Sequence, residues 1–208
     1  VVLENSTSSN VYNNTINCKA SSLYNIELYD SSNNNIINNT INGNGTNPYG
    51  IAGYRSSNNT ITSNKLTLKK ENLGESTSAY HSDTIAVGDE AIMFSSSSIN
   101  NNITKNSIIT NANTTVKLTE ETRNNKVMEN SLISNNKLAD QSVIDLGADN
   151  IVSNNFVYFV NATVNPVEAF VGDTITLVAN INTTTTDYSN LSVAFKLGSN
   201  NIGNSPVV

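Results

Sequence analysis

A motif of six residues recurs along this chain at a nearly fixed interval. It opens on an apolar residue, places Asn three positions later, and closes on a second apolar residue five positions after the first, as in "IINNTI". Six copies share this frame, with the central Asn at Asn14, Asn39, Asn64, Asn106, Asn130 and Asn154. The closing residues recur every 24 or 25 positions, with one longer step of 42 between Leu66 and Ile108. A fixed period of this length predicts a solenoid whose repeats stack on one another.

A second apolar strip precedes most copies of the motif, for example "NIELYD", "AIMFSS" and "TVKLTE". Apolar residues alternate with others in these strips, which is typical of half-buried strands, and no helical periodicity is present. The expected fold is therefore all-β, a right-handed parallel β-helix of about six rungs. We expect Ile36 to stack between Val11 and Ile61, with adjacent backbones paired in parallel about 4.8 Å apart.

The central Asn has a structural explanation in such a fold. The chain must turn sharply between two inward apolar residues, and Asn tolerates the left-handed backbone conformation better than any residue except Gly. Asn side chains at the same position of successive rungs can also exchange amide hydrogen bonds along the axis. All six central Asn residues are therefore predicted to form an internal ladder.

The step of 42 residues indicates an insertion at about 67–90, where a solenoid extends a loop from one face. The insertion contains the single histidine, His81, and the one notable cluster of acidic residues: Glu71, Glu75, Asp83, Asp89 and Glu90. Loops are polar whatever their function, so no catalytic site is predicted from this cluster. Asp30 and Arg55 lie one period apart and are expected to form a surface ion pair.

Residues 159–208 follow a different pattern, with longer alternating strands such as "DTITLVANI" and "LSVAFKL". Regular strands and turns without helices predict an Ig-like β-sandwich, but about 50 residues are only half of such a domain. The predicted organisation is a β-helix over 1–158 followed by a partial Ig-like sandwich over 159–208. Its remaining strands come either from a missing part of the same chain or from another chain.

Charge and composition exclude several classes of function. The formal net charge is −6 and no run of five basic residues occurs, which argues against nucleic-acid binding. No apolar run reaches the length of a membrane span. The single Cys18 fits no metal-ligand spacing, and no calcium-binding motif is present, so neither a metal nor a cofactor is expected. The chain begins at Val1 and ends abruptly, and we expect it to be part of a longer protein.

The "NNxIxxNxI" rungs resemble the parallel β-helix repeats of the NosD type. The segment from "VNPVEAFVGDTITLVANI" to "VAFKLGSNNIG" resembles bacterial Ig-like repeats. The two in tandem, with this excess of Asn and Thr, are similar to the adhesin-like surface proteins of methanogenic archaea. That resemblance implies secretion, a cell-surface location and a role in attachment or envelope structure, and it brings no catalytic motif.

N-x-[ST] glycosylation acceptors are consistent with an exterior location. They occur at Asn5, Asn13, Asn38, Asn44, Asn58, Asn102, Asn113, Asn161, Asn182 and Asn190. None of the six predicted ladder Asn residues is an acceptor, as expected if the ladder points inward and the glycans point outward.

The leading hypothesis is a non-enzymatic extracellular protein that serves as an adhesin-like stalk or platform. Its partners would be glycans or proteins of another cell or of its own cell wall, with self-association also open. The candidate glycan-binding residues are Tyr49, Tyr54, Tyr80 and His81. Two alternatives remain: a self-assembling filament or envelope subunit that exchanges strands or stacks rungs, and a carbohydrate-active β-helix lyase or glycosidase.

Overall fold

The computed structural model describes residues 1–19, 22–45, 47–70, 90–111, 114–133, 142–165, 174, 176–183, 192–197 and 200–206. They form a parallel β-solenoid of about five turns and a small antiparallel sheet of two strands near the C-terminus. The all-β solenoid predicted from the repeat is therefore confirmed. Its wall consists of three parallel sheets, and the chain makes five turns between the first and the sixth parallel strand of a sheet.

Sheet 1 and sheet 2 have six strands each. Sheet 1 contains β1 (Val2–Glu4), β4 (Ser22–Tyr29), β7 (Asn47–Tyr54), β10 (Glu90–Ser95), β13 (Thr114–Leu118) and β16 (Val143–Asp145). Sheet 2 contains β2 (Asn10–Tyr12), β5 (Asn35–Ile37), β8 (Thr60–Thr62), β11 (Asn102–Thr104), β14 (Lys126–Met128) and β17 (Ile151–Ser153). Every strand of sheet 2 has three residues, so only its middle side chain points inward.

Sheet 3 continues past the solenoid repeat. Its parallel strands are β3 (Thr15–Lys19), β6 (Thr40–Gly45), β9 (Lys65–Lys70), β12 (Ser107–Thr110), β15 (Ser131–Ile133) and β18 (Phe156–Asn165). The last of these pairs antiparallel with β19 (Thr176–Thr183), which covers the final edge of the sheet. Such a covered edge cannot recruit a further parallel strand.

The core is built from columns of aliphatic side chains. Ile36 pairs in register with Val11 on one side and with Ile61 on the other, as the repeat predicts. Ile36 and Ile61 are fully buried. A column in sheet 1 also contains Gly53 in register with Phe94, where a Cβ would lie 2.3 Å from the Phe94 ring. Glycine at this position leaves the space that the aromatic ring occupies.

The C-terminal strands were predicted to belong to an Ig-like sandwich beginning near residue 159. In the structure β18 runs without a break through that position, so the last solenoid strand and the first strand beyond it are one element. The strands β20 (Ser192–Leu197) and β21 (Asn200–Pro206) form a separate antiparallel pair. The Ig-like domain stays a prediction.

Three kinds of corner join the sheets. Corner 1–2 leads from sheet 1 to sheet 2, corner 2–3 from sheet 2 to sheet 3, and corner 3–1 from sheet 3 back to sheet 1. Corner 2–3 has two residues in every rung, namely 13–14, 38–39, 63–64, 105–106, 129–130 and 154–155. Its first residue has a positive φ in all six rungs, between 54° and 57°. The left-handed turn expected from the Asn-rich motif is therefore made by the residue before the ladder Asn.

Candidate functional site

The second residue of corner 2–3 forms the predicted ladder. The Asn64 Oδ1 accepts hydrogen bonds from the Asn39 backbone N–H and side-chain Nδ2, at 2.9 and 3.0 Å. The Asn39 Nδ2 also donates to the carbonyl of Val11 in the preceding rung, at 2.8 Å. Asn14, Asn39, Asn64, Asn106 and Asn130 all lie in this first ladder. Their side-chain amides are engaged within the wall of the solenoid, which gives these residues a structural role.

The sixth position was assigned wrongly from the sequence. The Asn130 Nδ2 donates to the Asn155 Oδ1 at 2.9 Å. The Asn155 Nδ2 in turn donates to the carbonyl of Val127 in the preceding rung. Asn154 instead is the exposed left-handed residue of this corner, with a φ of 54°. The last repeat is one residue longer than the sequence frame assumed, since Val157 and not Phe156 is in register with Leu132.

A second ladder, which sequence reasoning missed, runs along corner 1–2. The Asn101 Oδ1 accepts from the backbone N–H and Nδ2 of Asn59, at 2.9 and 3.0 Å. The same contacts link Asn34, Asn59, Asn101, Asn125 and Asn150. At its end the Asn150 Nδ2 donates to Asp145 Oδ1 at 2.8 Å, so a carboxylate occupies the place of the next amide. The members of this ladder lie five positions before those of the first, and that spacing was a usable sequence signal.

Tyr49 and Tyr54 were predicted to be exposed and to stack on sugars, and the expected exposure is wrong. The two side chains are only 5% and 2% exposed. Tyr54 packs with Met93, Tyr24 and Tyr29, and Tyr49 packs against the ring of Tyr24. The ring centroids of Tyr24 and Tyr49 lie 4.6 Å apart, and the Tyr24 and Tyr54 hydroxyls are hydrogen-bonded. Burial and this hydrogen bond raise the pKa of Tyr24. These rings are packing residues and present no face to a ligand.

The other candidates of the insertion mostly lie outside the described residues. This holds for Tyr80, His81 and the acidic residues 71, 75, 83 and 89. Glu90 is described: it is buried on sheet 1, and its carboxylate accepts from the Lys117 Nζ at 2.9 Å. Its charge is thus paired within the sheet.

Asp30 and Arg55 form the ion pair that their spacing predicted. The guanidinium donates to both carboxylate oxygens, at 2.7 and 2.8 Å, and lies 4.5 Å from the centroid of the Tyr29 ring. The Arg55 hydrogen bonds hold the pKa of Asp30 below its ordinary value. Both oxygens of this exposed carboxylate are thus engaged by Arg55, which gives Asp30 a structural explanation.

The outer face of sheet 3 is the remaining candidate surface. Its first three strands point Lys19, Lys65 and Lys69 outward, all exposed, and no ion pair engages them among the described residues. Asn17 and Asn42 lie between them and share a hydrogen bond of 2.8 Å. None of the described outward side chains of this sheet is acidic. The face is therefore basic in a chain whose net charge is −6.

Two further observations limit the chemistry of the described residues. They contain no group of three or more His, Cys, Asp or Glu side chains placed to hold a metal ion. Within the same ranges, no helix combines the length and the apolar character needed to cross a membrane.

Comparison with known proteins yields no match to a family model, to a curated protein or to a solved structure. Any functional conclusion therefore depends on the geometry of the solenoid itself.

Proposed function

We propose that this chain is a non-enzymatic, extracellular cell-surface protein of the adhesin-like type, in which the solenoid is a stiff platform and the face of sheet 3 binds acidic polysaccharides. The observation that carries the proposal is the set of three exposed lysines on that face. Among the described residues no carboxylate pairs with them, although the chain is acidic overall.

The spacing of the lysines suits an extended polymer. Lys19 and Lys69 lie in one row across sheet 3, with Asn44 between them, so two rungs separate them by about 10 Å. Lys65 lies on the same strand as Lys69. An acidic polysaccharide carries negative charges at intervals along its chain, and complementary potential directs its association with such a surface.

The rest of the face supplies contacts that a sugar requires. Asn17, Asn42 and Thr67 are exposed between the lysines and offer amide and hydroxyl groups for hydrogen bonds to sugar hydroxyls. Further along the sheet, Ile109 and Phe156 are 41% and 50% exposed. Apolar side chains of this kind pack against the C–H faces of sugar rings.

The carboxylates of the described rungs favour a binding role over hydrolysis. Glycoside cleavage requires two carboxyl groups that face one substrate bond. Asp30, Glu90, Glu129 and Asp145 are engaged in four separate contacts, with Arg55, Lys117, Lys105 and Asn150 respectively. These four acids lie on different parts of the solenoid: Asp30 at corner 1–2, Glu90 on β10 of sheet 1, Glu129 at corner 2–3 and Asp145 at the end of β16.

The test compares binding of polygalacturonate, an acidic polymer, with binding of neutral dextran to the immobilised chain. The variant Lys19→Gln/Lys65→Gln/Lys69→Gln is expected to bind polygalacturonate about tenfold more weakly, since each exposed charge contributes about 0.5 kcal/mol. Raising the salt concentration should weaken wild-type binding in the same direction.

A matched control removes three charges elsewhere, with Lys105→Gln/Arg123→Gln/Lys126→Gln on and beside sheet 2. This variant should keep wild-type affinity. Equal losses in both variants, or dextran binding as tight as that of polygalacturonate, would contradict the assignment of sheet 3. Shortening of the polymer during incubation, seen by size-exclusion chromatography, would contradict the non-enzymatic role.

A further inference from the structure

Most of the glycosylation acceptors whose side chains the structure describes lie on or beside sheet 2. Of the ten acceptors, six have side chains within the described part of the chain. Five of these six lie on sheet 2 or at the corners that border it: Asn5, Asn13, Asn38, Asn58 and Asn102. The sixth, Asn44, is at the end of β6 in sheet 3, half-buried, with its Oδ1 enclosed and without a hydrogen-bond partner.

The five acceptors on this side present free amide groups. All five are exposed, and within the described residues no hydrogen bond engages their side chains. At Asn13, Asn38 and Asn58 the φ angles of 57°, 57° and 56° place the residue at the outer bend of the corner. The next residue in each of these sequons is a ladder Asn, whose amide is fixed in the wall. Each "NNT" sequence therefore pairs one free amide with one engaged amide.

We infer that the side of the solenoid formed by sheet 2 and its corners carries N-linked oligosaccharides, with Asn58 as the acceptor that has a matched control in its own column. The inference relies on the extracellular location in the proposed function. It places a glycan at corner 1–2, apart from the three lysines on the outer face of sheet 3.

The chemistry is transfer of an oligosaccharide from a lipid-linked phosphate donor by a separate transferase. A bond forms between the Asn Nδ2 and the anomeric carbon of the sugar. The bond between that carbon and the phosphate oxygen breaks, the lipid phosphate leaves, and one Nδ2 proton passes to a base of the transferase. The Nδ2 of Asn58 is free to form this bond, whereas the Asn44 side chain is half-buried with its Oδ1 enclosed.

Spacing along the corners distinguishes Asn58 from Asn13 and Asn38. Asn13 and Asn38 occupy the same corner position in adjacent rungs, about 4.8 Å apart, which leaves room for one sugar and excludes a second. The neighbours of Asn58 in its own column are Asn33 and Asn100, which lack Ser or Thr two positions later. Asn58 therefore has no competing acceptor in an adjacent rung of its column.

The column also contains a matched control. Asn33 is exposed like Asn58, has a φ of 61°, and also makes no side-chain hydrogen bond among the described residues. The two differ at the second following residue, which is Asn35 after Asn33 and Thr60 after Asn58. Asn35→Thr therefore turns Asn33 into an acceptor in the same geometry.

The experiment maps glycopeptides by mass spectrometry after secretion of the chain from a host with N-linked glycosylation. The wild type should carry a glycan at Asn58 and none at Asn44. On any one molecule either Asn13 or Asn38 should be glycosylated, but not both. Thr60→Val should abolish the glycan at Asn58, and Asn35→Thr should add one at Asn33. Circular dichroism of both variants verifies that the solenoid is folded.

An unmodified Asn58 in the secreted wild type, or occupancy of Asn44 equal to that of Asn58, would overturn the inference. So would glycans on Asn13 and Asn38 of the same molecule. These outcomes are independent of polysaccharide binding, because Thr60 lies on sheet 2 and Thr60→Val should leave polygalacturonate affinity at the wild-type value.

Discussion

Two corners of the solenoid contrast sharply. Corner 2–3 has two residues in every rung and contains the first ladder, whereas corner 3–1 varies from one residue, at position 46, to nineteen, at 71–89. The insertion that produces the step of 42 residues falls in corner 3–1. The comparison shows that the stacking register is set at one part of the rung, while another part accommodates changes in length.

The physical reason is the hydrogen bonding at corner 2–3. Each ladder Asn receives two hydrogen bonds from one neighbouring rung, as Asn64 does from Asn39, and donates to the other, as Asn64 does to Asn106. A residue added there would displace a buried amide from all these partners. An added residue at corner 3–1 changes only the length of a connection, and doubling such a length costs only about 0.6 kcal/mol.

The largest expected effect comes from inserting Gly-Ser between Lys105 and Asn106, in corner 2–3. The insertion should lower the free energy of unfolding by on the order of 4 kcal/mol, because several buried hydrogen bonds of the rung are lost together. Urea denaturation followed by circular dichroism measures the change.

The matched insertion places Gly-Ser after Asn111, in corner 3–1 of the same rung. It should change the free energy of unfolding by less than about 1 kcal/mol. Similar losses at the two corners would show that the ladder does not set the register.

A smaller effect is expected from Asn64→Ala. The substitution leaves the Asn39 N–H groups and the Ile36 carbonyl without their partner at a position that is 1% exposed. We expect a loss of about 3 kcal/mol in urea denaturation. Asn42→Ala removes an exposed amide from the outer face of sheet 3 and should cost no more than about 0.5 kcal/mol. Equal losses of unfolding free energy in Asn64→Ala and Asn42→Ala would contradict a special stabilising role for the ladder at corner 2–3.

The smallest effect concerns the surface of corner 1–2, where Asp30 is paired with Arg55. Because Arg55 lowers the pKa of Asp30 in the folded chain, the pair stabilises the fold above the unfolded pKa, and this contribution is lost as the pH falls through the folded pKa. Asp30→Asn should therefore be slightly less stable than the wild type at pH 7, and the difference should vanish in acid. A difference that is constant between pH 7 and pH 2 would exclude the ion pair as its source.

The spacing of a few residues was sufficient to predict the fold. Inward residues such as Ile36, Ile61 and Ile103 recur in phase with the ladder Asn, and each is fully buried in the structure. Parallel stacking follows from this phase alone, because one rung cannot bury its own apolar face.

In the last rung the apolar positions alone do not determine the register of the motif. Phe156 and Val157 are both apolar, so the frame could close on either, and the sequence reading chose the wrong one. The spacing of five between the two ladders resolves the ambiguity, since Asn150 lies five positions before Asn155. Two independent columns of Asn define the register more securely than one column and its apolar flanks.

The burial of Tyr49 and Tyr54 was missed, although the sequence carries a signal for it. Tyr24 and Tyr49 are one period of 25 residues apart, as are Tyr29 and Tyr54, and each pair lies in register on adjacent strands of sheet 1. Their rings pack on one another, so the period that aligns the core residues also aligns these aromatic residues. The lysines of sheet 3 were visible in the sequence, but only the register brings Lys19 and Lys69 into one row.

The negative charge of Asp145 interacts with the dipoles of the side-chain amides in the second ladder. Each amide in that column turns its oxygen toward the preceding rung and an N–H toward the following one, so the side-chain dipoles add along the axis as peptide dipoles do in a helix. The partial positive end of the column then lies at Asn150, and the negative charge of Asp145 lies against it. The solenoid thus has a polarity along its axis, and an anion is favoured at its last rung.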